Sequence, residues 1–191
     1  MGAWAQSRRI RTRQGRGFTM IEVIVTMVIM SIIMGVTSQM FVTASQGYTA
    51  SATRGELHTE LSSALQRIVS ELRAARPKPA TTPGVGDITA TTASSITWMD
   101  ADGSSRQVSL SGTNLVYSVA GGTGIVLASS VSSLAIDTFD ESDAALGASL
   151  SGVGTQSIRR VRITLVGTRS GVTETFRTRV FPRACLVASG S

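Results

Sequence analysis

Histidine and cysteine, two residue types that often carry chemistry, each occur once in this 191-residue chain, as His58 and Cys185. One cysteine cannot form a disulfide within its own chain, and one histidine with one cysteine is too few for a closed Cys/His metal site. His58 lies in helical sequence between Glu56 and Glu60, and the sequence identifies neither a nucleophile nor an orienting partner for it. We therefore expect a solvated or partly packed helical histidine, a protein that is not an enzyme, and no cofactor.

Clustered carboxylates offer a second chemistry, because hard cations such as Ca²⁺ bind oxygen ligands. Asp137, Asp140, Glu141 and Asp143 lie on and after a predicted strand. They are the chain's candidates for a calcium site, although an exposed acidic loop is the favoured interpretation.

Arginines alternate with apolar residues in two C-terminal segments, which contain Arg160 with Arg162 and Arg177 with Arg179. If these segments pair as a hairpin, all four arginines lie on one face of a sheet. Like charges opposite one another are destabilising, so such a face would favour an acidic partner, either a protein surface or DNA phosphate. A solvated face balanced by the acidic loop is the favoured alternative.

Glu22 stands immediately before 31 uncharged residues, Val23 to Thr53, of which the stretch to about Val42 is strongly apolar. As a helix, these 20 residues would span about 30 Å, the thickness of a bilayer core. A carboxylate at mid-membrane would cost about 2.5–3.5 kcal/mol. At the interface, near the positive end of the helix, it would cost little. Spacing alone leaves both positions open.

Five arginines and no acidic residue occupy residues 1–17, whereas the rest of the chain has 13 basic and 12 acidic residues. The high isoelectric point is therefore a property of this segment, and it gives little support to nucleic-acid binding. Such a cluster is typical of a segment that stays on the cytoplasmic side of a membrane. An ordinary secretory signal cut near Ala52 is the alternative, but the apolar run is longer than the usual 7–15 residues or so.

The junction Gly17-Phe18-Thr19-Met20-Ile21-Glu22 resembles the processing motif of type IV prepilins and of type II secretion pseudopilins. The basic segment before it and the uncharged helix after it fit the same family. The resemblance implies that a prepilin peptidase cleaves between Gly17 and Phe18 and that Phe18 is then N-methylated. Because this cleavage lies ahead of the helix, the mature protein keeps its membrane anchor.

The resemblance also implies a role in assembly for Glu22, whose carboxylate would meet the new α-amino group of a neighbouring subunit. Its implied partners are other pilin or pseudopilin subunits and an inner-membrane assembly platform. The implied location is the cytoplasmic membrane, crossed once with the N-terminus inside and the head outside, and later a filament.

Two features resemble minor subunits of the family. Gln39 stands where many major pilins have a helix-bending proline, and the arginine-rich C-terminal strands are similar to the ends of minor pilins and minor pseudopilins. We therefore expect a minor filament subunit. The alternatives are a DNA-binding tip component of an uptake pilus and an exported globular protein cut near Ala52.

The elements that must position these residues follow from periodicity. Apolar residues at helical spacing predict that a second, amphipathic part of the helix packs on a sheet, namely Leu57, Leu61, Ala64, Leu65, Ile68, Leu72 and Ala75. Pro77 and Pro79 should end the helix after Arg76.

Two turns are predicted after the helix. Asp100 to Gly103 signals a hairpin turn. Gly121 to Gly124 is also a turn and not a phosphate loop, because no lysine follows its glycines.

The predicted fold is α+β and pilin-like. Its parts are a basic leader over 1–17, a transmembrane and filament-core helix over 18–46, an amphipathic continuation over 47–76 and a β-rich head over 77–191. The candidate strands are Ser95–Met99, Arg106–Leu110, Leu115–Val119, Ile125–Ala128, Leu134–Phe139, Arg160–Val166 and Thr173–Phe181.

Overall fold

The computed structural model describes residues 17–77 and 87–182. Pro79, Cys185 and the five arginines of the leader lie outside these ranges. The chain divides into two compact units, Met1–Gly47 and Tyr48–Ser191. A long helix, α1, runs from Met20 to Arg73.

The first part of α1 is apolar on all sides. An 18-residue window in this helix has a mean hydropathy of 2.3, and none of it is buried. A helix of this composition in the core of a soluble protein would be covered by other elements. By length and composition, α1 is able to span a membrane.

The second part of α1 carries six residues of the predicted stripe, and the seventh, Ala75, lies just after the helix. The predicted burial is confirmed. All seven residues are buried, Leu65 at 9% exposure being the least covered of them. Fully burying a leucine or isoleucine contributes about 1.5–3 kcal/mol, so the stripe is a major part of the head's core. An i,i+4 ion pair lies at the edge of the stripe, where Arg67 Nη2 is 2.7 Å from Glu71 Oε1.

The helix ends at Arg73, earlier than the predicted end at Arg76. Ala75 forms an isolated antiparallel bridge to Asp100, and the Arg76 N–H donates to the Met99 carbonyl at 3.1 Å. Pro77 disfavours helical dihedrals at the residue before it, and extended pairing with the sheet replaces the helical hydrogen bonds. The start also differs, since α1 begins at Met20 and not at Phe18.

Two antiparallel sheets follow α1 among the described residues. The larger has the order β5-β4-β3-β2-β1-β7 and the smaller β6-β8-β9. The strands are β1 Ile88–Thr92, β2 Ser95–Met99, β3 Ser105–Ser111, β4 Asn114–Val119, β5 Ile125–Ala128, β6 Val131–Phe139, β7 Leu150–Ser151, β8 Arg160–Arg169 and β9 Val172–Val180, with a 3₁₀ helix at Gly152–Ser157.

All seven predicted strands are present, and the bounds of Ser95–Met99 and Ile125–Ala128 are as predicted. Asp100 to Gly103 joins β2 to β3, which pair from Met99 with Ser105. The glycine-rich turn joins β4 to β5, where the Gly122 N–H donates to the Val119 carbonyl. The sequence did not predict β1, β7 or the 3₁₀ helix. The α+β, pilin-like fold class is confirmed.

Candidate processing and assembly site

Gly17, Phe18 and Thr19 form an exposed, non-helical segment directly ahead of α1. Phe18 is 77% exposed. A Cβ added at Gly17 would meet no atom of the described residues within 4 Å. The peptide bond between Gly17 and Phe18 therefore lies outside secondary structure, where a peptidase can reach it.

Thr19 is the residue on which the helix starts. Its carbonyl accepts the N–H groups of Glu22 at 3.1 Å and of Val23 at 3.3 Å. Glu22 is thus an acidic residue in the first turn, where the unpaired N–H groups give the helix end a partial positive charge. This position favours a carboxylate.

Gly17, Phe18, Thr19 and Glu22 line one concavity on the surface of the first unit. Cleavage before Phe18 would place an α-amino group next to this positive helix end. A cation there is unfavourable unless a carboxylate lies close to it. The site therefore combines an accessible peptide bond with a carboxylate five residues further along the chain.

The second candidate site, the outer face of the smaller sheet, lies in the other unit. Arg162 is directly opposite Arg179, and Thr164 is opposite Arg177. The predicted arrangement of Arg160, Arg162, Arg177 and Arg179 on one face is confirmed by this register.

Two carboxylates of the same chain pair with three of the four arginines on this face. Asp143 lies 2.8 Å from Arg160 and 3.4 Å from Arg179, and Asp137 lies 3.1 Å from Arg162. Arg177 has no ion pair within the described residues. The favoured alternative, a sheet face balanced by the acidic loop, therefore fits the geometry, and DNA binding stays a prediction.

Hydrogen bonds within the acidic loop hold the Asp140 carboxylate. Asp140 Oδ1 accepts the Ser142 hydroxyl and the Ala144 N–H, both at 2.8 Å. These hydrogen bonds hold the pKa of the Asp140 carboxyl below its ordinary value. Within the described part of the chain, no group of three His, Cys, Asp or Glu side chains could hold a metal ion.

Sequence reasoning missed the aromatic part of the arginine face. The guanidinium groups of Arg162 and Arg179 lie over the Phe139 ring, 4.5 and 5.4 Å from its centroid, and Arg160 lies over Phe181 at 5.4 Å. Cation–π contacts of this kind attract each guanidinium group to the ring beneath it. Phe139 stands two residues after Asp137 in a predicted strand, which places both on the same face as the arginines, and this spacing was the available signal.

His58 is an exposed helical residue, and its ring centroid lies 4.9 Å from that of Phe176. This matches the expected solvated or partly packed helical histidine.

The model of the prokaryotic N-terminal methylation motif matches residues 12–38. The match covers the Gly17–Phe18 bond, Glu22 and most of the apolar run. No curated protein matches the chain.

The chain therefore carries the N-terminal signature of the type IV prepilins and pseudopilins, on an α+β, pilin-like fold. This motif implies processing by a prepilin peptidase and assembly with other pilins. The motif and the apolar helix together fit a single-pass protein of the inner membrane.

Proposed function

We propose that this chain is a minor pilin or pseudopilin, cleaved between Gly17 and Phe18, methylated on Phe18 and assembled into a filament through its N-terminal helix. The observation that carries the proposal is the methylation motif, which covers the Gly17–Phe18 bond and the first part of an exposed apolar helix with one acidic residue in its first turn. Cleavage ahead of that helix leaves the membrane anchor on the product. The function is structural and involves no catalysis.

Glu22 supplies the specificity of assembly. In a bundle of apolar helices, its carboxylate pairs with the terminal amine of a neighbouring subunit. At about 4 Å and an effective dielectric constant near 20, the attraction is about 4 kcal/mol. This roughly offsets the cost of burying the carboxylate, and a neighbour in the wrong axial register leaves the charge unpaired. The pair therefore selects a register more than it adds stability.

The orientation follows from charge. The five leader arginines keep the N-terminus in the cytoplasm under the positive-inside rule, so the β-rich head lies outside. Before assembly the protein resides in the inner membrane, where the assembly platform takes it up.

A minor role is supported by Gln39, which stands at the position of the major-pilin proline, and by the C-terminal arginine strands.

A Glu22→Gln variant tests this function in the native cells. The amide keeps the size of the side chain but removes its charge, so we expect normal cleavage and a strong loss of the protein from sheared filaments. Glu141→Gln is the matched control, since Glu141 is an exposed head residue, and it should assemble normally. Wild-type incorporation of Glu22→Gln would refute the pairing role.

A further inference from the structure

The smaller sheet has one closed edge and one open edge. Along β6, the N–H groups of Val131 and Ile136 donate to the carbonyls of Thr113 and Ala93, both at 3.0 Å. The carbonyl of Thr138 accepts a further backbone hydrogen bond at 2.8 Å. β9 is the other terminal strand of the sheet, and among the described residues no backbone hydrogen bond reaches its outer edge. Unpaired N–H and C=O groups along an edge can bind one more strand.

A groove runs beside this open edge, between β9 and the amphipathic part of α1. Leu65 and Val69 line it from the helix, and Phe176 and Thr178 line it from the inner face of β9. Val69 and Phe176 are partly buried hydrophobic residues packed against the core. The helix therefore extends past the sheet edge and leaves room for the inward side chains of a further strand.

The charge beside the groove is positive. Arg177 is on the outward face of β9 and has no ion pair within the described residues, and Arg73 lines the groove from the last turn of α1. Oppositely charged side chains directly across from each other on neighbouring strands stabilise a sheet, whereas like charges destabilise it. A strand added at this edge is therefore favoured if it carries a carboxylate opposite Arg177.

We propose that the outer edge of β9 is a docking site for an extended segment of another protein, in which apolar side chains alternate with acidic ones. The backbone of that segment pairs with β9, its apolar side chains enter the groove against Leu65 and Val69, and its carboxylates face Arg177. This is strand addition, in which the main chain gives affinity and the alternate side chains give specificity. The inference concerns the head and does not rest on the processing of Phe18.

The test uses the full chain in detergent micelles and two labelled synthetic peptides, one alternating valine with glutamate and the other valine with lysine. We expect the glutamate peptide to bind more tightly, measured by fluorescence anisotropy, and to protect the amides of β9 from hydrogen exchange. Arg177→Glu should weaken binding of the glutamate peptide about three- to tenfold and strengthen binding of the lysine peptide.

Two helix substitutions test the groove. Gln66 is exposed and lines the groove, so Gln66→Trp should fill it and abolish peptide binding without disturbing the core. Ser63 is also exposed, and its hydroxyl donates to the Glu60 carbonyl of its own helix. Ser63→Trp is therefore the matched control and should bind the peptide normally.

Three results would overturn the proposal. The first is that neither peptide protects β9, and the second is that both bind equally. The third is that binding appears only after truncation behind Pro182, which would show that the chain covers its own edge. None of these results bears on cleavage at Gly17, so failure here is distinguishable from failure of the proposed function.

Discussion

Arg162 and Arg179 are direct cross-strand neighbours on the outer face of the smaller sheet. Two guanidinium groups in this position repel each other. Phe139 lies beneath both of them, and the carboxylates of Asp137 and Asp143 lie beside them. The stability of the face therefore depends on β6 and on the loop after it, as well as on the hairpin itself.

Asp143→Asn should destabilise the head. The carboxylate serves both Arg160 and Arg179 and is 44% exposed. Because partly exposed ion pairs contribute up to about 1 kcal/mol each, we expect a loss of about 1 kcal/mol in the free energy of unfolding at low salt. Urea unfolding followed by tryptophan fluorescence measures it, since Trp98 is fully buried.

High salt should shrink the effect of Asp143→Asn because exposed charges are screened. Glu141→Gln changes an exposed carboxylate in the same loop and should leave the midpoint unchanged. Equal losses in the two variants would mean that the loop's overall charge matters and that the pairing with Arg160 and Arg179 does not.

Gly167→Ala should destabilise the head because α1 passes close to β8 at this position. An added Cβ would lie 2.7 Å from Leu61 Cδ1 and 3.0 Å from Leu57 Cδ1, and both leucines are fully buried. Overpacking of this kind costs about 1–3 kcal/mol. The free energy of unfolding from urea titration measures the loss.

Leu61→Ala alone should also destabilise, by about 2–5 kcal/mol. The double variant Leu61→Ala, Gly167→Ala should lose less than the sum of the two single losses, because the new methyl group enters the space that Leu61 leaves. Additive losses in this double-mutant cycle would contradict the close approach.

The Tyr117 hydroxyl makes head stability depend on alkaline pH. It donates to Glu71 Oε2 at 3.1 Å and accepts from Arg106 Nη1 at 2.9 Å. Burial raises the pKa of Tyr117 above its ordinary value. Below about pH 10 the Tyr117 hydroxyl is protonated in both the folded and the unfolded state, and its full contribution to the free energy of unfolding is present. As the pH rises further, the hydroxyl ionises first in the unfolded state, so the free energy of unfolding falls until the pH passes the folded-state pKa.

Tyr117→Phe should remove this alkaline loss while costing about 1 kcal/mol at neutral pH through the lost hydrogen bonds. Tyr48→Phe is the control, since Tyr48 is 77% exposed. The urea unfolding midpoints of wild type, Tyr117→Phe and Tyr48→Phe are measured between neutral pH and about pH 11. If the urea midpoint falls identically with pH in wild type and in Tyr117→Phe, the alkaline loss of stability comes from another titrating group.

Gly17→Ala should slow or block removal of the leader without changing the fold. The added methyl group would have open space around it, so any defect must come from contact with the peptidase and not from strain in the substrate. Immunoblots of total cells should show accumulation of the longer form. Processing of this variant at the wild-type rate would show that the peptidase does not require glycine at this position.

Local patterns predicted the parts of the fold that depend on local physics. The stripe from Leu57 to Ala75 follows from the period of a helix, and the arginine face follows from the period of a strand. β1 could not be predicted, since Ile88 and Thr91 are its buried positions and its pairing with β2 and β7 is set by distant sequence. The stacking of Arg179 over Phe139 likewise requires β6 to lie beside β8.

The most direct test of the account is the intact mass of the mature protein isolated from its own cells, together with its N-terminal sequence. We predict a chain that starts at Phe18, carries one added methyl group and retains the apolar helix. A chain that keeps residues 1–17, or one that starts near Ala52 without the helix, would contradict it.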